Sequence, residues 1–456
     1  MLIKHRLATA TLGAALLVIG CVSSDRILSV EDPDIINPAD VASAAGANAV
    51  RIGAFARLNV ATTGTTSGSD EGLFLLGGML ADEWINGDSF IDRQAVDQRV
   101  IQPSNSFLTT ADRAINRARL SAMQATVLLK QFSPSAPGWE AAEMYFVEAF
   151  AENLMAEDYC NGLVFSSVID GREQYGSPIS DQTAFTIALA HVDSGLPLIT
   201  GNTTDDLRVE YALQVLRGRI LLNMGQSHYA EAATSVAAVP TSFKYQLLES
   251  LTTASNVIWS LNNSNRRYSV SSAEGTNGVN FAAAIDPRLP VCQGGDATCK
   301  LNGVSQASRD DLGKPFTVQL IWPTAASPVT IISGIEARMI EAEAQQAAGD
   351  PASAVATLNA ARTTVTGLAP LTDPGTPGAE IDQIFRERAF WFFSTGHRLG
   401  DLRRLIRQYQ RSADSVFPTG SWHKGGNYGG DVNIPVPQAE LNNPNVPAAL
   451  CTDRNA

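Results

Sequence analysis

The residues with the most obvious chemical potential lie near the C-terminus, where Gly396-His397-Arg398 is followed by Asp401-Leu402-Arg403-Arg404. A histidine and an aspartate four positions apart would face each other on a helix, and such a pair can move a proton. Nothing in the stretch supplies a nucleophile. The reading adopted is therefore a network of charged hydrogen bonds that caps and locks the C-terminal helices. Elsewhere, Gly64-Thr65-Thr66-Ser67-Gly68 lacks the spacing of a nucleophile elbow. No His-Glu-x-x-His, phosphate loop or dinucleotide fingerprint occurs in the sequence. The sequence thus assigns no catalytic residue, no cofactor and no metal set, and the expectation is a protein that is not an enzyme.

The five cysteines carry a second kind of chemistry. Lys4, His5 and Arg6 precede an apolar run from Leu12 to Ile19, which ends at Gly20-Cys21. A basic start and a short apolar run mark an export signal, and the run is far short of the roughly 20 residues that span a bilayer. Val18-Ile19-Gly20-Cys21 resembles a lipobox, in which the Cys21 thiol takes a diacylglycerol. Residues 1–20 then form the signal peptide and 21–40, with Pro33 and Pro38, a lipid-anchored tether. Val22 follows in place of the aspartate that retains many lipoproteins in the inner membrane, which leaves the outer membrane open. The other four cysteines suit an oxidising compartment. Cys292 and Cys299 flank the flexible Gln-Gly-Gly-Asp-Ala-Thr, leaving Cys160 and Cys451 as a possible second pair. No histidine lies near any of the four in sequence, which favours disulfides over zinc.

The formal net charge is −13, and loss of Lys4 and Arg6 with the leader makes it more negative. Such a chain repels phosphates, so a nucleic-acid partner is not expected.

The elements that must position these groups read as mainly α. Thr109-x-x-Asp112 looks like a helix start, with Ile115, Ala118, Ala122 and Met123 forming a stripe. A second stripe runs from Trp139 through Phe146 and Phe150 to Leu154. Near 208–240, the helix Arg208 to Gly225, with Gly218, and a return helix at Tyr229 and Ala232 form a tetratricopeptide-like pair. A second pair occupies 333–363: Ser333-x-x-Glu336 has capping-box spacing, Gly349-Asp350-Pro351 makes the turn, and Ala354, Leu358 and Ala361 line the return helix. Residues 252–330 read as a long loop-rich insertion with short strands, such as Phe316 to Ile321. A helix carrying Ile381, Ile384, Phe385, Ala389, Phe392 and Phe393 follows, then a Gly/Pro-rich tail.

At this point the chain resembles the SusD/RagB family over nearly all of its mature length, read as one domain over 41–456. The resemblance rests on Glu387-Arg388-Ala389-Phe390, on Gly396-His397-Arg398 and on Asp401-Leu402-Arg403-Arg404. Asp286-Pro287-Arg288-Leu289, Glu341-Ala342-Glu343-Ala344 with Leu358-Asn359 and Arg362, and the Ile434-Pro435, Glu440 and Asn443-Pro444 tail extend it. Leu399-Gly400 departs from the bulkier residues of the family, so looser packing is expected there. The resemblance implies tetratricopeptide-like helix pairs with an irregular ligand-binding face. It also implies an outer-membrane, surface-facing lipoprotein that delivers an oligosaccharide or peptide nutrient to a SusC-like TonB-dependent β-barrel transporter.

A sugar ligand needs flat aromatic faces and side chains that hydrogen-bond hydroxyls. The candidates are Trp84, Trp259, Arg266, Tyr268, Trp422 and Tyr428, with Trp322 beside them. Taken singly, each aromatic is more readily a core residue than a ligand platform. Trp84 is the first choice, because Asp82, Glu83, Asn86 and Asp88 surround it. Two other classes stay open: a helical-repeat scaffold that binds another protein, and an all-helical glycoside hydrolase with two carboxylates about 5–9 Å apart.

Overall fold

The computed structural model describes residues 41–65, 71–169, 172–251, 254–301, 304–305, 309–447 and 451. Segments 1–20 and 21–40, Cys21 included, lie outside the described residues. Among the described residues, no helix is long and apolar enough to cross a membrane.

The first half is helical. Helix α1 (Ala44–Thr63) starts at Ser43, whose hydroxyl accepts from the Gly46 amide. It is followed by α2 (Leu73–Ala81), α3 (Ile91–Asp97), α4 (Ser106–Phe132), α5 (Gly138–Asp158) and α6 (Asp181–Gly195). All nine residues of α2 are buried, as expected of a helix apolar on every side. Helix α4 begins earlier than Thr109. Asn105 caps it by accepting from the Phe107 and Leu108 amides. Thr109 and Asp112 therefore lie inside the helix, and the Thr109 hydroxyl donates back to the Asn105 carbonyl.

The helix pairs come next: α7 (Thr204–Met224) with α8 (Tyr229–Val236), and α9 (Gly334–Ala347) with α10 (Pro351–Arg362). A Cβ at Gly218 would stand 2.7 Å from Val236 Cγ1, so only glycine permits this approach of α7 to α8. Distant in sequence, the pairs stack directly, α8 on α9. Ser333 caps α9 by accepting from the Glu336 amide at 3.2 Å. The reciprocal half of the expected box is absent there, because the Glu336 carboxylate is turned to His397 instead. The complete box is at α7, where Thr203 and Asp206 satisfy each other's amides. Helices α11 (Pro377–Trp391) and α12 (Arg398–Arg407) complete the helical body. Phe392 and Phe393, expected on α11, lie just beyond its end and are still buried.

The strands are short, and those that frame the insertion are β1 (Trp84–Asn86), β2 (Lys244–Leu247), β3 (Tyr268–Val270), β4 (Val291–Gln293), β5 (Thr317–Gln319) and β6 (Val329–Ser333). Antiparallel pairing of β2 with β6, from Leu247 opposite Val329 to Lys244 opposite Ser333, joins the two ends of the 252–330 insertion. Within it β3 returns to pair with β1, Asn86 opposite Tyr268, and β4 pairs with β5. Cys292 on β4 is joined to Cys299. The tail runs back along α5: Ile434 donates to the Asp158 carbonyl and accepts from the Cys160 amide. Cys160 is joined to Cys451 across a sequence separation of 291.

Candidate functional site

The C-terminal cluster is buried and dense in ion pairs. Arg388 reaches Asp401 at 2.8 Å, and Arg404 grips Glu343 with two nitrogens at 2.7 and 2.9 Å. Arg398 holds Asp82 at 2.6 and 2.7 Å, Arg403 holds Asp181 at 2.7 Å, and Arg219 binds Glu157 at 2.5 and 2.8 Å. These pairs tie α12 to α6, α9, α11 and the end of α2, and α7 to α5; Arg403 also donates to the Ala156 and Glu157 carbonyls of α5. Burial alone would raise the Asp401 carboxyl, but Arg388 and Arg404 outweigh it and hold it at about 2. Glu343 is likewise held low against its burial, chiefly by Arg404.

His397 and Asp401 do not pair through their side chains. His397 precedes α12 and points its Nε2 at Glu336, 3.1 Å away, while Asp401 turns to the arginines. The Thr395 hydroxyl sits 3.0 Å from His397 Nδ1 but donates its own proton to the Phe392 carbonyl at 2.7 Å. It closes a turn and is not an activated nucleophile. Gly400 packs tightly rather than loosely, because a Cβ there would lie 3.2 Å from the Glu157 side chain. Its small size gives room to the Arg219–Glu157 pair.

The aromatic candidates do not form a surface platform. Trp84 is 0% exposed, donates its indole N–H to the Ser394 hydroxyl at 2.9 Å, and packs 4.9 Å from the Phe393 ring. The polar residues around it are internal as well: Asp82 is bound by Arg398, and Glu83 accepts from the Ser394 amide. Tyr268 is also fully buried, between Glu71 and Arg93, and Trp322 and Trp422 are buried too. Trp259 and Tyr428 are half-buried, while Arg266 is exposed in a left-handed turn at φ 58°. The fold does gather Trp84, Arg266, Tyr268, Trp422 and Tyr428 around the β1–β3 ladder. Trp259 is on the short helical turn before it.

Two exposed aromatics escaped the sequence reading: Phe90 and Tyr175, 52% and 48% exposed. Tyr175 borders a cleft of about 380 Å³ between α1, α4, the paired strands Ser167–Ile169 and Arg172–Gln174, and the tail at 439–443. The volume lies within the range of small-molecule sites, about 300–1,000 Å³. Asn116, Gln124, Glu173 and Asn442 line it, with Arg113 and Arg117 at the α4 wall. The Tyr175 hydroxyl donates to Glu173 at 2.8 Å. Asn443 and Asn445 of the tail donate their amides to the Gly176 and Tyr175 carbonyls at 3.0 and 2.7 Å. The Asn-Pro tail motif therefore positions the loop that carries this ring. Asp112 lies beneath, its carboxyl pushed up to about 7 by burial and by nearby Glu440. A larger hollow of about 870 Å³ beside α9 and α11 is shallower, and its Tyr409 gives its hydroxyl to Glu343.

No family model matches the chain, and no curated protein matches it in sequence. Solved structures do match it in fold. A SusD superfamily protein from Parabacteroides distasonis superposes with a TM-score of 0.65 at 14% identity, covering 88% of this chain and 98% of that one. A second, from Bacteroides vulgatus, gives 0.61 at 15% identity over 88% and 97%. NanU of B. fragilis gives 0.60 at 13% identity over 92% and 99%. A protein described as a SusD-like carbohydrate binding protein, also from Bacteroides vulgatus, gives 0.56 at 12% over 79% and 83%. The chain has the mainly α SusD fold.

Proposed function

We propose that this chain is an outer-membrane lipoprotein of the SusD/RagB family, anchored through Cys21, that binds an oligosaccharide at the cell surface. It then passes that ligand to a SusC-like TonB-dependent β-barrel. The observation that carries the reading is the near end-to-end match of fold with SusD superfamily proteins, one of them described as carbohydrate binding. The cleft beside Tyr175 supports it: one aromatic face can stack on a sugar ring, and amide and acid side chains around it can exchange hydrogen bonds with hydroxyls. An open cleft excludes little water, so affinity is modest, with Kd roughly micromolar to millimolar. That suits a protein that must release its cargo.

The test is affinity electrophoresis of the mature chain through a panel of polysaccharides, with product analysis of each incubation. Retardation by at least one glycan is expected, and Tyr175→Ala should weaken it about tenfold, near 1.4 kcal/mol, without shifting the melting curve. Undiminished binding by that variant would remove the cleft from the reading. Released sugars would turn it into a hydrolase, with Asp112 and Glu440 the first carboxylates to examine. Retention of peptides alone would change the ligand class. Mild detergent extraction of native membranes should also bring down a large β-barrel, whereas recovery of soluble partners alone would favour a scaffold.

A further inference from the structure

We propose that Asp97, Glu274 and His423 form a site for one divalent transition cation of the zinc or manganese kind. The sequence gives no hint of it, because the three residues come from distant segments: the last residue of α3, the turn after β3, and the hairpin closed by Trp422 and Gly426. In the fold their ligating atoms all lie within 4.8 Å of one another. Donors around an ion at metal–ligand distances of about 2.0–2.2 Å stand roughly 3–4 Å apart, so a small contraction would complete a coordination shell.

What converges here is a set of acceptors with few donors: the Asn86 amide and the Trp422 indole N–H face Asp97. Glu274 is 6% exposed, and neither of its carboxylate oxygens has a hydrogen-bond partner. Asp97 is 1% exposed; its Oδ2 accepts from the Asn86 amide at 3.0 Å, while Oδ1 has no partner. His423 Nε2 lies 3.0 Å from the Asn86 carbonyl, which can only accept, so that nitrogen carries the proton. The lone pair is then on Nδ1, which is buried, lacks a donor and stands 3.6 Å from Asp97 Oδ2. Ligating histidines are characteristically held this way, one nitrogen donating to a carbonyl and the other left for the metal.

The nearby cations are otherwise engaged. Lys424 binds Asp311 at 2.7 and 2.8 Å, and Arg99 donates to the Asp431 and Pro418 carbonyls. Asp82, which also faces Glu274, is bound by Arg398. The second acidic cluster with a histidine, Glu148, Glu152 and His191, is different. Its histidine bonds Glu152 at 2.7 Å and Arg119 stands 3.7 Å from the same carboxylate, so the protein supplies the counter-charge there. One imidazole with two carboxylates is a borderline ligand set that suits zinc or manganese. Calcium takes six to eight oxygens and magnesium keeps mostly water and phosphate. A bound ion would pin α3, the β3 turn and the 422–426 hairpin to one another.

The experiment uses the tag-free mature chain, stripped with a chelator and dialysed against Zn²⁺ or Mn²⁺, with bound metal counted by elemental analysis. One equivalent per chain, with Kd at or below micromolar, is expected, together with a higher melting temperature. Glu274→Gln, a neutral isostere, should melt cooperatively, lose at least 100-fold in affinity and no longer respond to metal. His423→Ala should do the same, while Glu152→Gln should bind as wild type. Equal stoichiometry and affinity in Glu274→Gln and His423→Ala would overturn the proposal. So would a stripped wild-type chain that takes up neither metal, whatever its behaviour towards glycans.

Discussion

Two buried acidic regions of this molecule are built on opposite terms. Around α12, Asp401, Glu343, Glu157 and Asp82 each face an arginine within hydrogen-bond distance. At the corner of α3, Asp97 and Glu274 are as deeply buried, yet no lysine or arginine bonds either. The difference teaches that burial does not decide what a carboxylate does; the counter-ion does. A buried charge without one is costly, so an acid of that kind must hold a proton or take an ion from outside.

The sharpest way to break the comparison is to make the same change on both sides. Glu343→Gln takes from the buried Arg404 its two-pronged charged partner, leaving it Asp401 at 3.2 Å, and should cost about 3–5 kcal/mol, read as a lower melting temperature. Wild-type stability would mean that the arginine network is not structural. The same region predicts an acid limb. Asp401 is held at about 2 against an ordinary 3.8, so its contribution is present above about pH 4 and is lost as pH falls towards 2.

Asp112 probes the opposite sign. Its carboxyl is raised to about 7, so the folded chain binds more protons than the unfolded one between about pH 4 and 7, and stability declines as pH rises through that window. Asp112→Asn should remove that decline and add on the order of 2 kcal/mol at pH 8, with little effect near pH 4. Identical melting curves of variant and wild type across this range would refute it. The smallest effect belongs to Glu274→Gln in metal-stripped protein. Removing a charge without a partner should leave stability unchanged or raise it by up to about 1 kcal/mol. A loss as large as that of Glu343→Gln would erase the distinction.

What the sequence revealed and what it hid divide along the range of the interactions. The helix pairs were legible because their signals are local: Gly218 for close approach, Ser333 as a cap, Gly349-Asp350-Pro351 as a turn. Trp84 is buried although its acidic neighbours suggest a wet loop, because the arginine that buries Asp82 comes from 316 residues away. Tyr175 was overlooked for the same reason in reverse. Its polar neighbours Arg172, Glu173, Gln174 and Ser177 fit an exposed ring, but the loop is held by Asn443 and Asn445, 267 and 270 residues onward, and nothing local shows the cleft it borders. Glu336 shows a local rule overridden, its capping partner displaced by His397. The Asp97, Glu274 and His423 corner has no sequence spacing to recognise; it exists only once three loops have met.

The link between Cys160 and Cys451 sets an order in time. A chain secreted N-terminus first would expose Cys160 to an oxidising environment while the 291 positions to its partner were still to follow. Cys292 and Cys299, separated by 7, can close as soon as both emerge. For much of its passage the molecule would carry an open thiol at the end of α5. The segment around Ile434 that lies against that end would be laid down only afterwards. In a chain exported that way the bond would be a late latch, closing on a body whose helix pairs had already had the opportunity to form.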